Sequence, residues 1–162
     1  MNITFRRTTL LVCVLAGTLA LAVALVAVRG ASAAPPEPVD ETFTIEGVCD
    51  FPVDAVVSGK TKFIELPGGR FIATSPGARI TLTNVEEPSH QVTYVISGAL
   101  HGKDLASGDL LLVFTGRNLL FDPSYGMLLT IGHFTQVVDL EAETAPPPEG
   151  KGKVIDVCQR LA

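Results

Sequence analysis

Two cysteines offer the first chemistry this chain could perform. Cys49 lies in EGVCDFPV, residues 46–53, and Cys158 in VIDVCQRLA near the C-terminus. A redox pair is usually written C-x-x-C, and these two are far apart in the chain. A catalytic thiol needs a base beside it, and a zinc site wants about four ligands. An even pair of thiols in an oxidising compartment points instead to one intramolecular disulfide. Cys49–Cys158 would clasp the first strand to the last and close a loop of more than 100 residues. A third cysteine, Cys13, lies inside an apolar run and lacks the small residue that precedes a lipidated cysteine.

The other polar candidates are Arg117 and Asn118 in TGRNLLFDP, residues 115–123. Arginine grips a carboxylate or phosphate through two parallel hydrogen bonds, and asparagine offers both a donor and an acceptor. The pattern predicts a tight turn at Gly116 between two apolar strands, with this pair as a possible binding surface. The plainer reading is a hairpin in which Asn118 caps the turn and Arg117 pairs with Asp122 or another acid. His90, His101 and His133 form no H-x-H or HExxH pattern, so no metal site is expected. Glu86 and Glu87 are adjacent, would point to opposite faces of a strand, and read as a solvated loop before Pro88. There is no G-x-S-x-G elbow. Gly68-Gly69-Arg70 is too short for a phosphate loop. Tryptophan is absent, and Tyr94 and Tyr125 alone make a poor platform for sugars. No cofactor is expected.

The N-terminus says where this chemistry takes place. Arg6 and Arg7 precede an uncharged apolar run from Leu10 to Val28, followed by ASAA and then PPEP. A positive start, an apolar middle and a small-x-small end make a secretory signal, residues 1–33, cleaved after Ala33. The run is also close to the roughly 20 residues that span a bilayer, so retention of residues 10–28 as a membrane anchor is the alternative. Cleavage removes Arg6, Arg7 and Arg29. Nine basic residues then stand against 17 acidic ones, a net charge of −8. That balance argues against nucleic acid, which needs a basic face, and against anionic membrane surfaces. A membrane contact is expected only if the signal segment is retained.

The elements that must position these residues are strands. Residues 34–41, APPEPVDE, read as a proline-rich acidic tether, and residues 42–162 as one domain. TFTIEGV, ARITLTN and HQVTYVISG alternate apolar and polar residues, and LLLVF, residues 110–114, is apolar throughout and reads as buried on both faces. Pro67-Gly68 and Pro76-Gly77 are type II turn signals. Ser58-Gly59 reads as a turn, KTKFIELPGGRFIATSPGARITLT as a three-stranded meander, and KVIDVC as the last strand. About nine or ten short strands with no helical stripe predict a single all-β antiparallel β-sandwich or flattened β-barrel.

CDFPV, TSPG, TLTN, TGRNLLFDP and GKGKVIDVC, in that order, resemble a group of small secreted β-proteins of actinobacterial type. The likeness runs from about Gly47 to Ala162. It implies secretion and a β fold. No activity is attached to the group, so no functional residue is carried over. The expectation is an exported, non-enzymatic β domain with a binding or structural role at the cell surface or in the medium. The alternative is a secreted small-ligand carrier, or a hydrolase whose Asp/Glu/His site forms only on folding.

Overall fold

The computed structural model describes residues 35–142 and 144–162; the expected signal segment, residues 1–33 with Cys13, lies outside them. The described chain is nearly all β and antiparallel. Its strands are β1 (Glu37–Ile45), β2 (Val53–Leu66), β3 (Arg70–Thr74), β4 (Arg79–Asn84), β5 (Gln91–Val95), β6 (Gly98–Asp104), β7 (Leu110–Asp122), β8 (Gly126–Val138) and β9 (Glu149–Asp156). A four-residue helix, α1 (Cys158–Leu161), follows β9. The sheet runs β5-β4-β2-β3-β6-β7-β8-β9, with β1 added on β2.

Several boundaries differ from the sequence reading. Glu37–Glu41 are not a free tether: they pair with Val57–Thr61 as the first half of β1. Ser58-Gly59 does not break the chain, because β2 is one 14-residue strand. Its first half pairs with β4 and its second half with β3, so it serves two parts of the sheet. The expected meander therefore fails at its third member: β3 pairs with β6, and β4 returns to β2. The Pro67-Gly68 and Pro76-Gly77 turns form as read, with φ of 77° at Gly68 and 70° at Gly77.

The core follows from the alternation. Ile45, Val53, Ala55, Ile80 and Leu82 pack with Met127, Leu129, Val157 and Leu161. Burying side chains of this size removes roughly 1.5–3 kcal/mol of exposure cost apiece. Val157 and Leu161 are fully buried, so the chain end plugs the core rather than extending β9. KVIDVC accordingly ends as a strand at Asp156.

Asn84 fixes that plug. It is 4% exposed. Its Nδ2 donates to the Leu161 carbonyl at 3.0 Å, and its Oδ1 accepts from the backbone N–H groups of Glu86 and Glu87 at 2.9 and 3.2 Å. Asn84→Ala strands all three partners. It is expected to lower stability by about 2–3 kcal/mol, read as a lower urea midpoint. Thr81→Ala, on the open face of the same strand, should move the midpoint far less.

A row of glycines folds the other half of the sheet. Gly98, Gly116, Gly132 and Gly152 are directly opposite one another across β6, β7, β8 and β9. Gly132 and Gly152 have φ of 144° and 149°, values that side chains rarely adopt. A Cβ on Gly132 would fall 2.9 Å from the Gly152 Cα and run into the Lys151 carbonyl. The strands can approach here only without side chains. A sharp bend in β8 follows from one contact. Tyr125 and Gln136 are 11 residues apart, about 36 Å along a straight strand. Yet the Gln136 amide donates to the Tyr125 hydroxyl at 3.3 Å. The strand must therefore turn back at the glycine row. Phe114, Phe134 and Gln136 are buried beyond it, outside the main core cluster.

Candidate functional site

The predicted disulfide forms. Cys49 lies in the bend between β1 and β2, and Cys158 opens α1, with Cα atoms 5.5 Å apart. The bond therefore joins the β1–β2 connection to the residues just after β9. Both cysteines pack against the main core.

Arg117 and Asn118 are not on a turn. They lie within β7, which runs unbroken from Leu110 to Asp122 across the positive-φ Gly116. A glycine between two apolar runs reads as a turn in sequence, but here it is a crease shared by four strands. Asn118 is structural: its Nδ2 donates to the Thr115 carbonyl at 3.1 Å, and its backbone carbonyl accepts from the Thr130 hydroxyl at 3.2 Å. Arg117 is exposed and level with Ile131 and Lys153. It does not pair with Asp122; among the described residues the one contact within 4 Å between a basic side chain and a carboxylate is His90–Glu87, at 3.5 Å. LLLVF is also less covered than expected. Only Phe114 is buried, and Leu110 to Val113 are half-buried.

The register of β2, β3, β6, β7, β8 and β9 sorts these strands into two faces. One carries Phe63, Phe71, Leu112, Phe114, Phe134 and Gln136, with Phe63 stacked on Phe71 at 5.2 Å between ring centroids. Its charges are Glu65 and Asp104. The other carries Lys62, Arg70, His101, Lys103, His133 and Lys151, with Glu149 as its one acid. Arg70 stands directly opposite Lys103, and His133 opposite Lys151. A chain rich in acids thus gathers four of its nine domain lysines and arginines on one sheet face, where the overall charge gave no hint of them. Basic residues at alternate positions, as in LHGK, were the available signal, since alternate strand residues share a face.

The histidines are spread out. His90 sits against the Leu161 carbonyl at 3.3 Å, while His101 and His133 are exposed on β6 and β8. No group of three or more His, Cys, Asp or Glu side chains converges among the described residues. The described residues line two hollows of note. One of ≈370 Å³ lies between the Ser75-Pro76 turn and Ala99, Thr115 and Gly116. One of ≈240 Å³ lies between Gln136 and Pro146-Pro147, where the Gln136 amide donates to the Pro146 carbonyl at 2.7 Å. Burial raises the Tyr125 phenol above its ordinary value; the Gln136 hydrogen bond opposes this and the nearby Asp122 charge adds to it. Comparison with protein-family models, with curated proteins and with solved structures returns no match.

Proposed function

We propose that the chain is an exported, non-enzymatic β domain that binds a partner or serves a structural role at the cell surface or in the medium. The observation that carries this reading is the Cys49–Cys158 bond, because disulfides persist in oxidising compartments and are rare in the cytosol. The likeness to small secreted β-proteins of actinobacterial type and the signal pattern of residues 1–33 support the same compartment. Packing of Val53, Ala55 and Leu82 against Met127 and Leu129 supports two sheet regions closed face to face, the sandwich or flattened barrel of the sequence reading. The open sheet face with Arg70 and Lys103 supports a binding role over catalysis.

The test is the intact mass of the protein made from its full-length gene in its own cells. The expected species lies in the medium and begins at Ala34. A full-length species held in the membrane fraction would select the anchored alternative, and a reduced full-length species in the cytosol would end the export reading.

A further inference from the structure

We propose that the face of Arg70, Lys103, His133 and Lys151 docks a short extended segment of a partner protein, acidic at both ends and apolar between. This deepens the binding reading above and rests on it. Like charges placed directly opposite on neighbouring strands are destabilising. Arg70–Lys103 is such a pair, with Cα atoms about 4.5–5.5 Å apart. No carboxylate of the described residues lies within 4 Å of either. An arrangement that costs stability in the free chain is relieved when an acid bridges it, and a partner's carboxylate supplies that acid.

The spacing chooses among anions. Cations occupy β3 and β6 at one end of the face, and Lys151 on β9, beside His133 on β8, stands at the other. Between them β7 presents Leu111 and Val113, half-buried, and β8 presents Val137, 42% exposed. From Arg70 on β3 to Lys151 on β9 is four strand steps, about 19 Å, with an offset of four residues, about 13 Å, along the strands; the diagonal of about 23 Å is spanned by an extended segment of about seven residues. A uniform polyanion would lay charge over that apolar middle. It would also meet the repulsion of a domain whose net charge is −8. A segment with carboxylates at its ends and apolar residues at its centre matches both zones. Glu149 weakens the β9 end, so Arg70 and Lys103 form the stronger anchor.

The test uses the purified, oxidised mature protein and a fluorescent peptide of sequence DEVLVED, with anisotropy as the readout. Saturable binding that weakens with added salt is expected. Arg70→Gln with Lys103→Gln together should weaken it about tenfold, from two exposed ion pairs. Arg160→Gln, exposed on α1 and outside this face, should leave it unchanged. The proposal is overturned if the peptide does not saturate, if its neutral counterpart NQVLVQN binds equally well, or if the double variant binds as wild type. It is also overturned if the peptide fails while heparin, duplex DNA or phosphatidylglycerol vesicles bind through Arg70 and Lys103. Because purified protein is used, failure here is separate from failure of the export reading.

Discussion

Replacing Cys49 and Cys158 together by serine is expected to lower the free energy of unfolding by about 4–5 kcal/mol. The bond closes a loop with a sequence separation of 109. In the chain-entropy picture, cross-linking a loop of that size restricts the unfolded chain by about 4.7 kcal/mol. A domain has only about 5–15 kcal/mol in all, so the loss is a large share of the total. The effect should be visible in urea as a much lower midpoint, with the slope raised because an uncrosslinked chain exposes more surface on unfolding. Both sulfurs pack against the core beside Val48 and Phe51, and the turn at Gly126 lies next to Cys158. Serine at these positions also buries two hydroxyls. Reduction of the native protein, which leaves the sulfurs in place, separates that contribution from the cross-link itself.

Gly132→Ala is the second large effect. The substitution forces a side chain into a φ of 144° and presses its Cβ toward the Lys151 carbonyl and the Gly152 Cα. Backbone strain and overpacking each cost about 1–3 kcal/mol, so roughly 3 kcal/mol or more is expected. Gly47→Ala is the matched comparison. Gly47 has a φ of 70° with nothing within 4 Å of an added Cβ, so only conformational strain applies. That strain is about 1 kcal/mol. If the two variants unfold at the same denaturant concentration, the glycine row is not the crease described here. If Gly132→Ala is much the weaker, the fold-back that brings Tyr125 to Gln136 depends on close strand approach.

The sequence makes the fold class legible because alternation is a local property. Ile45, Ile80 and Leu82 stand at period-two positions and are buried, as that period demands. Cys49 and Cys158 were legible for a different reason: with Cys13 assigned to the expected signal segment, one intramolecular pairing remains. Strand continuity was harder to read. Gly59 and Gly116 look like turn residues, since glycine permits both a turn and a crease, and only the partner strands decide which. The identity of those partners is a long-range fact. Nothing near Thr74 says that β3 pairs with β6 instead of β4. The candidate site was half legible for the same reason. Arg117 is exposed as expected, but Arg70, Lys103 and Lys151 become one surface only through the register of β3, β6, β8 and β9. A net charge is a sum, and it conceals how its parts are placed.

A covalent clasp joins the two ends of this all-β domain, for which export is proposed. Peptide mapping of the mature protein without reduction tests it most directly. A single linked pair joining the peptide that holds Cys49 to the one that holds Cys158, released on reduction, is the predicted result. Two alkylatable thiols in the folded, freshly exported protein would contradict it.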